Sequence, residues 1–230
     1  MKPEVLVFAA VSADGFTEGF EVDQGAFYEI VQGRSEDVAL AGSNTILAVP
    51  GADEDPDSEP DTSAFSRDGP LLAIIDSAGR IRAWDWLRRQ PHWRDVIVIG
   101  SEATPRQVRA EWDRRGLHQI IVGQDKVDLA KAIEHLGSEF GASRIRIESG
   151  GTLNGLLLKQ NLVDEVAMLV HPVVLGGRGR RTLLCGPEGA RHDRSWPLKL
   201  KSATTLDGGL LHLTYAMDNA SSAARATSAS

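Results

Sequence analysis

The chain has 230 residues, 42% of them hydrophobic and 25% charged, a globular composition with room for one large domain or two small ones. Lys and Arg total 25 against 32 Asp and Glu, and the net charge of −7 excludes a general attraction to nucleic acid or an anionic membrane. The single cysteine, Cys185, excludes an intramolecular disulfide and a thiolate metal cluster, and no apolar run is long enough to span a bilayer. No signal-peptide pattern precedes the first strand-like segment, so a soluble cytoplasmic protein is expected.

In chain order, Val5–Val11 is an apolar run too continuous for a half-exposed strand, which predicts a strand covered on both faces. The signature recurs at 38–41, 71–75, 96–99, 119–122 and 145–147. Helix-like stretches lie between these runs at 84–89, 105–115 and 129–140, with Thr104 as N-cap and Pro105 in the first turn of the second. This alternation predicts βαβ crossovers and a largely parallel sheet. After a helix over 152–160 come strand-like segments at 163–170, 172–175, 198–205 and 210–216, with Asp207-Gly208-Gly209 as a hairpin turn. These strands are expected to finish the sheet antiparallel. No linker interrupts the order, so a single α/β domain is expected over residues 1–217, followed by an Ala/Ser-rich tail over 218–230 that reads as disordered. Residues 51–61 hold six carboxylates and two prolines and read as a solvated loop.

The densest chemical signal is Glu148-Ser149-Gly150-Gly151-Thr152-Leu153-Asn154-Gly155-Leu156, where a strand ends, glycines turn the chain and a helix begins. Unpaired N–H groups and the positive helix end then suit a phosphate or pyrophosphate. The same residues also read as a tight βα turn. The pattern is not Gly-x-Gly-x-x-Gly, and there is no Walker loop. Other strand ends carry matching groups: Asp76-Ser77 with Arg80 close behind, and Ser101 and Thr104 with Arg106. Ligands of open α/β sheets bind beyond the carboxyl ends of the strands, and a hydroxyl beside an arginine suits the 2′-phosphate of NADP. Helix capping is the alternative role for each hydroxyl. Ser12-x-Asp14-Gly15 follows the first strand and reads as a turn or as a polar edge facing a bound ring.

Ser12-x-Asp14-Gly15, Ala41-Gly42-Ser43-Asn44-Thr45-Ile46-Leu47, Asp76-Ser77, Glu148-Ser149-Gly150-Gly151-x-Leu153-Asn154-Gly155, Val163-Asp164-Glu165 and Pro172-Val173-Val174-Leu175-Gly176-Gly177 together resemble the reductase domain of RibD-type riboflavin-biosynthesis enzymes. The resemblance covers most of residues 5–216. It implies a single-domain dihydrofolate-reductase-like fold, with a mixed, mostly parallel sheet flanked by helices and an antiparallel C-terminal hairpin. It also implies NADPH binding and hydride transfer to a pyrimidine ribosylamine phosphate, either 5-amino-6-(5-phosphoribosylamino)uracil or a diamino-ribosylamino-pyrimidinone phosphate. By resemblance, Ala10, Thr45, Ser77 and Gly150 through Leu156 fall on cofactor-contacting positions, Glu148 and Arg34 on substrate-contacting ones, and Asp14 near the nicotinamide. The family's Asp-Asp-Pro-x-Leu-Thr-x-Arg stretch is replaced by the acidic segment, with only Arg67 nearby.

The leading expectation is an NADPH-dependent reductase in which Glu148 orients substrate and Asp14 has a polar or proton-donating role. Two alternatives stand beside it: a reductase of a pterin or small carbonyl or imine compound, and a dinucleotide-binding protein without turnover. The six histidines show no metal-ligand spacing and no Gly-x-Ser-x-Gly elbow occurs, so neither a metal nor Ser-His-Asp catalysis is expected. The five tryptophans read as packing anchors, an exposed cluster of them being the mark of a subunit interface, and a homodimer is expected.

Overall fold

A computed structural model describes residues 2–49, 69–177, 181–184 and 195–218. The acidic segment 51–61, Arg67, Cys185, His192 and the tail from 219 onward lie outside the described residues. In chain order the elements are β1 (Glu4–Ser12), α1 (Gln24–Gln32), β2 (Val38–Gly42), α2 (Ser43–Ile46), β3 (Leu71–Ile75), α3 (Trp84–Arg89), β4 (Asp95–Gly100) and α4 (Arg106–Arg114). They continue with β5 (His118–Ile121), α5 (Leu129–Phe140), β6 (Arg144–Ile147), α6 (Gly151–Lys159), β7 (Glu165–His171), β8 (Leu198–Thr205) and β9 (Leu211–Met217). The chain forms two compact units, one of Met1–Pro3 and Glu36–Ser149, the other of Glu4–Ser35 and Gly150–Ser230.

The first unit is a parallel sheet in the order β5-β4-β3-β2-β6. Its apolar runs are buried almost throughout, as continuous hydrophobicity requires when helices cover a parallel sheet. One core cluster joins Ala39, Leu72, Ile74, Val96 and Val98 to Trp84, Leu87, Trp112 and Leu117. Trp84 and Trp112 meet edge to face with ring centroids 6.5 Å apart, while Trp86 and Trp93 are partly buried against the same cluster. These tryptophans are therefore packing anchors rather than an exposed patch. α5 begins where the Asp128 carboxylate accepts from Lys131 N at 3.1 Å and ends at left-handed Gly141. α4 departs from expectation at its start. Pro105 holds the N-cap position, and the Thr104 hydroxyl turns back to accept from Ser101 N at 3.0 Å.

In the second unit β1 and β7 pair in parallel from Leu6↔Glu165 to Ser12↔His171, while β7–β9 and β9–β8 are antiparallel. Antiparallel pairing thus starts one strand later than the sequence suggested, because β7 runs alongside β1. The β8–β9 hairpin turns at Asp207–Gly209, with Gly208 and Gly209 at φ +70° and +77°. Residues 172–175 form no strand. Pro172 has no N–H for a ladder, Val173 O accepts from Ala13 N, and Leu175 N donates to Asp14. The helix α1, which sequence patterning missed, is capped by Asp23 and turns Ala26, Phe27, Ile30 and Val31 onto Leu6, Phe8, Ala167 and Leu169. Phe27 stacks on Phe8 at 4.8 Å.

Candidate active site

Parallel strands end on one side of their sheet, so in the first unit β2, β3 and β6 deliver their following residues to a common edge. After β2, Gly42 leads into α2. Gly42 N donates to the Ser149 hydroxyl at 3.3 Å, and that hydroxyl lies 3.3 Å from Thr45 Oγ1. Thr45 and the residue after Glu148 are thereby held together, although Ser149 itself was not among the residues singled out.

After β3, Asp76 is 1% exposed and accepts from Arg80 N and Ile81 N, both at 3.0 Å. Burial raises its pKa, with the two N–H bonds acting in the opposite direction. The Asp76 carboxylate is thus spent on closing its own loop. Ser77 is half-buried in that turn. Arg80 is exposed, and its Nη2 donates to Ser43 Oγ at 2.5 Å and Asn44 Oδ1 at 2.7 Å. The guanidinium is therefore held in place by neutral partners and keeps its charge uncompensated by them. Ser101 is placed differently. It is fully buried, its Oγ has no hydrogen-bond partner, and its N–H donates to Thr104 Oγ1 at 3.0 Å.

At the end of β6, Glu148 N donates to Leu40 O at 2.9 Å, which fixes the backbone beside β2. The Glu148 side chain keeps 29% exposure, and Arg146 binds it through Nε and Nη2. Glu148 is thus an accessible carboxylate on a rigid strand end, suited to accept hydrogen bonds from amino or hydroxyl groups.

The second unit carries the helix that follows. α6 starts at Gly150, which has φ −68° and ψ 163° and no side-chain cap. A Cβ added at Gly150 would meet nothing within 4 Å. Neither backbone conformation nor packing requires glycine here, so the position fits a group that approaches the backbone closely, such as a phosphate. The first intrahelical bond is Asn154 N to Gly150 O, and the N–H groups of Gly151, Thr152 and Leu153 lie in the unpaired first turn. Asn154 is fully buried with Nδ2 donating to Leu183 O at 2.9 Å, Gly155 is buried, and the N–H groups of Gly155 and Leu156 lie within the helix.

Ala10 is buried in β1, two residues before the strand ends at Ser12. Beyond it, the exposed Asp14 carboxylate accepts from Ser12 Oγ at 2.6 Å, from Gly176 N at 2.7 Å and from Leu175 N. The Ser12 hydroxyl and then the Gly176 N–H hold its carboxyl below the usual carboxylate range. Asp14 is an ionised acceptor that ties two loops together, which corrects the expectation that it donates a proton. Arg34 is placed elsewhere in the second unit. It stands at the end opposite the carboxyl termini of β1 and β7, where Nη2 lies 3.6 Å from Glu165, the first residue of β7, and Lys201 pairs with the same carboxylate.

Among the described residues no group of three His, Cys, Asp or Glu is placed to hold a metal ion, and no helix is long and apolar enough to cross a membrane.

Polar strand ends of a parallel sheet, and a helix with an uncapped glycine start, are features that suit an anionic ligand in an α/β protein. More specifically, the chain belongs to the RibD C-terminal domain family, whose match runs over residues 3–212. It is 31% identical over 226 residues to the 2,5-diamino-6-ribosylamino-4(3H)-pyrimidinone 5′-phosphate reductase of Methanothermobacter thermautotrophicus, covering 92% of this chain and 97% of that one. The reductase of the same name from Archaeoglobus fulgidus is 27% identical over 201 residues, covering 81% and 88%. Among solved structures, RibD of Acinetobacter baumannii superposes with a TM-score of 0.70 at 23% identity. The match covers 94% of this chain and 58% of that longer chain, and bears on fold alone.

Proposed function

We propose that this protein is the NADPH-dependent reductase that converts 2,5-diamino-6-ribosylamino-4(3H)-pyrimidinone 5′-phosphate to its ribitylamino counterpart in riboflavin biosynthesis. The observation that carries this reading is 31% identity to a reductase of that name along nearly the full length of both chains. Similarity of that extent favours the diamino-pyrimidinone over the deaminated uracil, which the motifs alone left open.

When bound, NADPH would supply the hydride that reduces C1′ of the ring-opened ribosylamine, the adjacent nitrogen taking up a proton. The protein's contribution is positioning and charge. In the second unit, Gly150 and the first-turn N–H groups of α6 suit a pyrophosphate. The preference for NADPH over NADH follows from two residues of the β3 loop. A free 2′-hydroxyl is normally held by an acidic side chain, but Asp76 is buried and occupied by its own loop. Arg80, exposed and steadied by Ser43 and Asn44, offers a guanidinium to a 2′-phosphate instead. Glu148 accepts hydrogen bonds from the substrate. The group that donates the proton is not Asp14, whose carboxylate is ionised and already bonded to three donors.

The test is to incubate the protein with NADPH and each pyrimidine phosphate in turn while following nicotinamide absorbance. Oxidation with the diamino-pyrimidinone at higher kcat/KM than with the uracil supports the assignment, and preference for the uracil would reverse it. Turnover only with a pterin would replace it.

A further inference from the structure

β6 reads Arg-Ile-Arg-Ile, and its continuation is Glu148. Side chains alternate across a strand, so Arg146 and Glu148 lie on one face while Ile145 and Ile147 occupy the other. Arg146 is only 4% exposed, and its Nη1 donates to Glu36 Oε2 at 2.8 Å. Glu36, whose side chain is 1% exposed, lies two residues before β2. In the other direction Arg146 Nε and Nη2 donate to Glu148 at 2.8 and 2.6 Å. Both of these bonds converge on Oε1, leaving Oε2 of the partly exposed Glu148 carboxylate outside them.

A buried arginine between two carboxylates is a poor way to stabilise a fold. Desolvating the charges costs about as much as their attraction returns, and an apolar trio would serve as well. What such an arrangement does supply is orientation. The planar guanidinium is fixed at one end by Glu36, and its rigid fork then sets the direction of the Glu148 carboxylate.

We infer that Arg146 and Glu36 are positioning residues for substrate recognition: together they lock the Glu148 side chain so that Oε2 is presented, preoriented, to a hydrogen-bond-donating group of the substrate. The inference rests on Glu148 contacting the pyrimidine substrate, as proposed above. Neither Arg146 nor Glu36 touches substrate in this scheme; they act through Glu148.

The experiment compares E148Q, R146M, R146K and E36Q with the parent, and adds R146M and E36Q in the E148Q background. It measures KM and kcat for the diamino-pyrimidinone phosphate and, separately, Kd for NADPH. R146M is expected to raise substrate KM on the order of tenfold, because a misdirected contact loses its alignment, while NADPH affinity stays within about twofold. R146K keeps the charge but not the fork and falls between R146M and the parent. In the E148Q background R146M adds less than about twofold, since a residue that acts only through Glu148 has nothing left to position. An equal KM rise from R146M in both backgrounds, or a loss of NADPH affinity in step with KM, would overturn the inference in favour of a general structural role. If R146M does not fold, the near-isosteric E36Q carries the same comparison, with a KM rise of about threefold that vanishes in the E148Q background. An impaired E148Q beside R146M and E36Q of parental KM overturns the inference alone. An E148Q of parental KM overturns the assignment of Glu148 as well.

Discussion

Gly150 offers the sharpest separation of folding from ligand binding. Its φ of −68° is open to any residue, and an added Cβ meets nothing within 4 Å, so Gly150→Ala creates no clash and no backbone strain. Two small effects on stability oppose each other. Alanine is a poorer N-cap than glycine by several tenths of a kcal/mol, whereas reduced freedom of the unfolded chain returns about 0.4–1 kcal/mol. The variant should therefore unfold within about 1 kcal/mol of the parent. Binding should respond quite differently if a pyrophosphate approaches this turn, because one lost charge-assisted hydrogen bond, about 1.5 kcal/mol, raises Kd roughly tenfold. At NADPH one hundredfold above the parental Kd, ligand stabilisation is about 2.7 kcal/mol; after a tenfold weakening it is about 1.4 kcal/mol. Thermal unfolding with and without NADPH, paired with calorimetric titration, measures both quantities on the same sample. Parental NADPH affinity in a folded Gly150→Ala would refute the placement of the phosphate, and a large loss of stability without ligand would refute the claim that packing does not require this glycine.

Arg80→Met should weaken NADPH by tenfold or more and leave NADH within about twofold, as the loss of a phosphate partner requires; equal losses for both cofactors, measured by fluorescence titration, would remove Arg80 from the 2′-phosphate. Asp14→Asn should lower kcat by less than about tenfold, because loss of a true proton donor costs about 10²–10⁴-fold, and steady-state kinetics across pH would expose a larger drop. Glu111 is held at about 2 against an ordinary 4.5, first by the Arg114 bond and then by Arg115. A lowered folded-state pKa contributes stability that is fully present above 4.5 and lost as pH falls toward 2. Glu111→Gln should therefore be less stable than the parent by about 1 kcal/mol near neutrality after allowing for solvent screening, with the gap closing over that window in denaturant titrations.

The parallel half of the fold was legible because buried strands of 4–6 residues leave a strong mark: the apolar run at Leu71–Ile75 matches β3 to the residue, and the helix-like stretch Trp84–Arg89 between two such runs matches α3. α1 was not, since Gly25 and the aromatic and branched residues after it have weak helix propensity, and the helix forms because Phe27 and Ile30 find Phe8. The pairing of β7 with β1 was invisible for another reason. Strand partners far apart in sequence are set by topology, and the hydrophobic pattern of β7 suits a parallel or an antiparallel neighbour. For the site, motif positions marked the right segments but not which way each side chain turns. Asp76, Asn154 and Ser101 sit in or beside the motifs and are buried, Asp76 closing its own loop and Asn154 donating to the distant Leu183 carbonyl, while Arg34 is drawn to Glu165. Arg146 could have been noticed as a charge between the two isoleucines of β6, a position that needs a partner once buried; Glu36, 110 residues away, could not.

The most direct test of the proposed activity is isotopic. The protein is incubated with NADPH carrying deuterium at the transferable position of the nicotinamide, together with 2,5-diamino-6-ribosylamino-4(3H)-pyrimidinone 5′-phosphate, and the product is read by mass spectrometry and NMR. The expected result is a ribitylamino product with deuterium at C1′ and an equal amount of NADP⁺. Tight NADPH binding with no deuterium transferred to this substrate would contradict it.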